Sequence, residues 1–193
     1  MMPTLAPSCQ AALKEWATVL QAMARGEQLV LIRKGGLIEP GSGFELVANT
    51  FVLYPTFEHQ AVKFLRPAYA RYFDDALTRR AGEGCVRFDL CATAVFSKPS
   101  TDPAVVERLQ AFHIYNGDFV QQRLHWQPEQ PLVVAAVRVF RLASPQVRPV
   151  VAHYAGCKSW VTLEAPVSLE GAVPVVDETA FDRSVREIRA VLS

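Results

Sequence analysis

A run of β-branched and other apolar residues, LVVAAVRVFRL over residues 132–142, constrains this chain more than any other stretch. It is apolar on both faces through Val137, so as a strand it must be covered on both sides and lie centrally in a sheet. Nowhere does an apolar run approach the roughly 20 residues that a membrane helix needs. Arg138 breaks into the run on the same face as Phe140 and Leu142. A guanidinium so placed requires a carboxylate or must reach a cavity or rim. Glu15, Asp89 and Asp118 are the candidate partners, with contact to a ligand as the alternative.

The other segments are shorter and more mixed. Pro7 and Ser8 predict a helix start, with Ala12, Leu13, Trp16, Val19, Leu20 and Met23 on one stripe and Gly26 as the stop. Residues 29–32 read as a short buried strand and residues 44–54 as a second one. Thr56 is a suitable cap for a helix over residues 58–80, which Pro67 must interrupt or kink. Residues 86–96 alternate, placing Phe88, Leu90, Ala92 and Ala94 on one face and Arg87, Asp89, Cys91 and Thr93 on the other. Asp102 and Pro103 start a helix that ends near Phe112. Residues 116–126 fit a short helix or an edge strand, and the helix is preferred. A short strand ends near Leu163, and Phe181, Val185, Ile188 and Leu192 mark a terminal amphipathic helix. No βαβ rhythm is present. The expected class is α+β, a mostly antiparallel or mixed central sheet with flanking helices, and residues 1–193 are read as one domain.

Half of the 193 residues are hydrophobic, which supports an ordinary core, and the formal net charge is +1. So small an excess argues against a protein that coats nucleic acid indiscriminately, while leaving room for a local basic groove. Cys9, Cys85, Cys91 and Cys157 form no C-x-x-C pair and are expected to be reduced thiols. Neither they nor His113 and His125 show zinc-ligand spacing, so no metal and no cofactor is expected. The first ten residues lack the basic and apolar regions of a signal peptide, and the chain is read as cytoplasmic, with no membrane partner.

Three separated segments carry candidate chemistry. Arg33, Lys34, Gly35 and Gly36 combine two cations with glycines that let backbone amides approach a phosphate or carboxylate. They match neither a Walker nor a dinucleotide fingerprint. Tyr54, Thr56, Glu58 and His59 crowd a strand-to-helix junction. There a helix dipole would disfavour the imidazolium and leave His59 as an acid–base group beside Glu58. Lys158 and Trp160, in a loop with Gly156, could hold a phosphate and stack a base. Ser159 beside Lys158 would point away from it on a strand, which disfavours a nucleophile pair.

The blocks ALKEW (12–16), LIRKGG (31–36), FVLYPTFEHQ (51–60), VRVFRL (137–142) and YAGCKSW (154–160) resemble domain-of-unknown-function family 1802 of bacteria. The likeness spans nearly the whole chain. It implies no established activity and no catalytic residue. Some relatives carry a restriction-endonuclease-like domain, which implies a restriction or defence setting; this chain is expected to lack such an addition. Three functions remain open. One is a nucleic-acid recognition or accessory module of a restriction-like system, using Arg33, Lys34, Arg138, Lys158 and Trp160. Another is a small enzyme acting on an anionic small molecule through Arg33, Lys34 and His59. The last is a structural or partner-binding protein.

Overall fold

The central run does become an interior strand. In the computed structural model, which describes residues 5–34, 45–102, 104–126 and 128–193, it forms the first part of β5 (Leu132–Pro149). On either side lie β2 (Val30–Arg33) and β4 (Cys85–Ser100), both antiparallel to it. The sheet continues through β3 (Thr50–Thr56), β1 (Ser8–Trp16) and β6 (Trp160–Ser168), while the short β7 (Val173–Pro174) pairs with β5. Seven strands thus form one mixed sheet, antiparallel except where β1 runs parallel to β3. Five α-helices flank it among the described residues: α1 (Ala17–Met23), α2 (Arg71–Thr78), α3 (Val105–Arg108), α4 (Gly117–His125) and α5 (Glu178–Leu192). The fold is α+β. No described helix is long and apolar enough to cross a membrane.

The expected first helix is half strand. Ser8–Trp16 is drawn between β3 and β6, where Leu13 lies opposite both Leu53 and Trp160. Pairing on both sides satisfies its backbone groups and overrides the helical spacing. Only Val19, Leu20 and Met23 of the stripe are helical, on α1, and the chain turns at Gly26 with φ 75°. A Cβ there would lie 2.7 Å from Val176 Cγ2, so glycine is required twice over.

The long second helix is also absent. Thr56 pairs with Trp16 at the end of β3 and caps nothing; its hydroxyl donates to the Glu15 carbonyl at 3.2 Å. Residues 62–64 and 67–69 form 3-10 turns, and Pro67 opens the second of them, so only α2 remains of the predicted helix. Residues 116–126 are helical as α4, with the Asn116 side chain accepting from Phe119 N. Asp102 accepts from Ala104 N before the single-turn α3; Pro103 lies outside the described residues.

Both sheet faces are buried. The larger core packs α1, α3, α5 and the aromatic group Trp16, Phe64, Tyr115 and Phe119 against Leu13, Leu90, Ala92 and Val137. Tyr115 and Phe119 stack at 3.7 Å, and Trp16 meets both edge-on. Such pairs each add about 0.5–1.5 kcal/mol beyond simple burial. The smaller core holds Ala12, Val52, Tyr54, Phe88 and Phe140. Phe88 and Leu90 therefore point to opposite faces, against the expected alternation. The ladder shifts between them, and a bulge there inverts the parity of the residues that follow, up to a second shift between Ala94 and Phe96.

Arg138 is buried on β5 with Phe140 at 5.8 Å and Phe181 at 5.1 Å from its guanidinium carbon. Of its three candidate partners, Glu15 pairs with Arg33 and Asp89 with Arg87.

Curvature decides where the site lies. Arg33, at the end of edge strand β2, donates to the Lys14 carbonyl on β1, four strands away in the sheet order. The sheet is curled until its first and fifth strands meet.

Candidate anion-binding cleft

A cavity of about 400 Å³ opens where that curl closes. Its floor consists of strand ends: Lys14, Glu15 and Trp16 of β1, Arg33 of β2 and Thr56 of β3. Glu58 and His59 form one rim, Gly156, Cys157, Lys158 and Ser159 the opposite rim, and Gln122, Arg123 and Trp126 of α4 the third side. Four cations face two carboxylates.

The floor is tightly interlocked. Glu15 Oε1 accepts from Trp16 N at 2.8 Å, and Oε2 lies 3.7 Å from Arg33 Nη1. Lys14 N donates to the Ser159 carbonyl at 2.8 Å, and Lys14 Nζ donates to the carbonyls of Tyr154 and Gly156, the latter at 3.1 Å. Burial lowers the Lys14 pKa, and the nearby Lys158 charge lowers it further. Behind the floor His113 is held neutral. Its Nε2 lies 2.7 Å from the Val106 carbonyl and its Nδ1 accepts from Tyr115 N at 3.1 Å, and burial pushes its pKa down to about 4.

Arg123 is the cation most in need of an anion. Its guanidinium packs 5.1 Å from the Phe119 ring centre, and Nε is closed off from solvent without a hydrogen-bond partner. Burial lowers its pKa, with the Arg33 charge adding to the effect. Among the described residues the guanidinium makes no hydrogen bond or ion pair. A charge concentrated against like charge in a partly dry cavity is relieved by an incoming anion.

His59 takes φ 62°, a left-handed conformation that non-glycine residues adopt at a cost. The reason is local. Gln60 is tethered to the start of α1 by Thr18 N at 3.2 Å and Thr18 Oγ1 at 2.9 Å, which forces a sharp reversal after β3. His59 consequently stands on an exposed loop, and the helix dipole invoked for it is absent.

Of the residues predicted for a site, Arg33, Thr56, Glu58, His59 and Lys158 line this cavity. Lys34 does not: it is buried, and its ammonium donates to the Leu124 carbonyl at 2.9 Å, tying β2 to α4. Gly35 and Gly36 lie outside the described residues. Tyr54 lines a neighbouring cavity. Trp160 donates to the Glu45 carbonyl at 2.9 Å and sets its ring edge against Phe51, and neither it nor Arg138 reaches the lining. Lys14, Trp16, Arg123 and Trp126 also line the cavity, and the sequence does not mark them as site residues. The first two fall in the stretch whose spacing predicts a helix. Arg123 had one usable signal, a cation one helical turn after the apolar Phe119.

The chain is similar to the crystal structure of ASCH from Zymomonas mobilis, with 9% identity and a TM-score of 0.40 over 95% of each chain. Crystal structures of two mutants of ZmASCH match at 10% and 12% identity. Both have a TM-score of 0.39, and they cover 95% and 97% of this chain and 98% and 100% of their own. Likeness at this level assigns nothing to the cleft. No curated protein matches the chain. The family model described as Domain of unknown function (DUF1802) matches residues 12–187, a span that takes in every segment of the cleft, and the chain belongs to that family.

Proposed function

We propose that this protein is a nucleic-acid recognition module whose cleft receives one nucleotide of a single-stranded segment. The observation that carries the reading is Arg123, a desolvated guanidinium without an anionic partner among the described residues, aimed into a cavity it shares with Arg33, Lys14 and Lys158. A volume of about 400 Å³ suits a nucleotide-sized ligand. The phosphate would take Arg123 and Lys158, and the half-buried Trp126 offers a face for the base. Nothing in the cleft speaks for a restriction setting, and that association is not carried into the reading.

The test is fluorescence anisotropy with labelled single-stranded RNA and DNA. Binding should weaken steeply between about 50 and about 200 mM salt, and Arg123→Ala should weaken it at least about tenfold. Absence of binding at low salt, or indifference to Arg123→Ala, would overturn the proposal.

A second reading, a small enzyme acting on an anionic substrate, draws support from one observation. Lys14 is made less basic by burial and by Lys158, and it stands in the same cavity as Glu58 and His59. With Lys34 engaged on Leu124, the anion anchors of such an enzyme would be Arg33 and Arg123. Conversion of an oligonucleotide or phosphate ester that ceases in His59→Ala would favour this reading over pure recognition.

A further inference from the structure

We propose that a second cavity beside the cleft is the subsite for the adjoining nucleotide, so that the ligand is a strand of at least two nucleotides; this rests on the nucleic-acid reading above. The second cavity holds about 320 Å³ and shares Lys14, Thr56, Glu58 and Gly156 with the first. The two are thus compartments of one trough with a common wall. Lys14 stands in that wall, its ammonium fixed by the Tyr154 and Gly156 carbonyls. A phosphodiester joining two nucleotides would cross the wall at this cation.

The far compartment repeats the chemistry of the near one. Arg79 and Arg80 face it from the end of α2, and among the described residues neither guanidinium makes a hydrogen bond or ion pair. Arg80 lies 5.1 Å over the ring of Phe57, which lines the same compartment. Tyr54 and Tyr154 form an edge-to-face pair at its base. Arg87 also lines it, but its charge is met by Asp89 through Nε at 3.1 Å and Nη2 at 3.0 Å. Cations above aromatic surface are what a nucleotide requires: a phosphate anchor and a stacking platform. Two such compartments sharing a wall fit a continuous strand better than two independent ligands.

Calorimetric titration separates this inference from the reading beneath it. The probes are nucleoside 5′-monophosphates, 5′-phosphorylated dinucleotides and tetranucleotides. The dinucleotide should bind about tenfold tighter than the monophosphate, and the double variant Arg79→Ala, Arg80→Ala should bring it back to the monophosphate level. Both side chains are exposed, so the variant keeps the fold, which its thermal unfolding would verify. Arg123→Ala should weaken every probe. If the monophosphate binds through Arg123 but the dinucleotide gains nothing, or the double variant leaves that gain intact, the second subsite is overturned and the first stands. If no probe binds, both fall.

Discussion

Glu15 and Glu58 both face the cavity, yet the side chain of Glu15 is 5% exposed and held by Trp16 N and Arg33, whereas Glu58 stands exposed on a loop. The same contrast separates Arg33, which reaches across the curled sheet to the Lys14 carbonyl, from Lys158, whose ammonium bonds to the His153 carbonyl within its own loop. Floor and rim carry the same residue types but are bound into the molecule to different degrees. Floor charges close the sheet, so in the proposed reading a ligand would meet them already fixed. On the same reading rim charges would set affinity, and they can change with little effect on the fold.

The largest expected effect belongs to the floor. Glu15→Ala strips Arg33 of its buried carboxylate and Trp16 N of its acceptor, and should lower unfolding stability by about 3–5 kcal/mol in urea titrations. Lys158→Ala should shift it by less than about 0.5 kcal/mol. Equal effects would abolish the distinction.

Next is the acid response of the scaffold behind the floor. His113 has a folded pKa of about 4, below the roughly 6.5 of an unfolded histidine, so the unfolded chain binds the proton first. Stability contributed by neutral His113 is complete above pH 6.5 and declines as pH falls toward 4, by ~3 kcal/mol in all. Denaturant midpoints across that interval should show the loss, and His113→Gln should flatten it. A flat wild-type profile would mean that His113 is not held neutral.

Arg123 belongs between floor and rim. Arg123→Ala should weaken ligand binding tenfold or more, about 1.4 kcal/mol, while thermal stability changes by less than about 1 kcal/mol because a desolvated charge is removed with it. A large stability loss would move Arg123 to the floor. The smallest effect is Glu58→Gln, which should raise affinity for an anionic oligonucleotide about threefold at low salt by removing one exposed repulsion. Unchanged affinity together with lost turnover would instead assign Glu58 to proton transfer.

Much of the frame was readable in the chain. The doubly apolar run at residues 132–142 announced an interior strand, and Phe181, Val185, Ile188 and Leu192 announced α5. Two misreadings share one cause. At Ser8–Trp16 local spacing favours a helix, but pairing with β3, some 40 positions on, draws that stretch into the sheet; the same pairing holds Thr56 as the last residue of β3, so it cannot cap a helix, and 3-10 turns precede α2. The bulge between Phe88 and Leu90 has no signature in the alternation itself, so Phe88 is grouped with Leu90, Ala92 and Ala94 although it lies on the other face, while the alternation from Leu90 to Ala94 holds. The cleft suffered most. Arg33, Thr56, Glu58, His59 and Lys158 were visible as polar residues beside turns. Lys14 and Arg123 were not, because their meaning depends on a curl that only the assembled sheet possesses.

The place of β1 has a further consequence. It precedes the other described strands of the sheet in the chain, yet one of its two neighbours is β6, which includes the opposite partners of Leu13 and Ala12 and follows β2, β3, β4 and β5. During translation β1 can find β3 but must wait with one flank open until residues 160–168 leave the ribosome. Nascent or truncated chains therefore present an unprotected strand edge to one another, and chaperone dependence should concentrate in that interval.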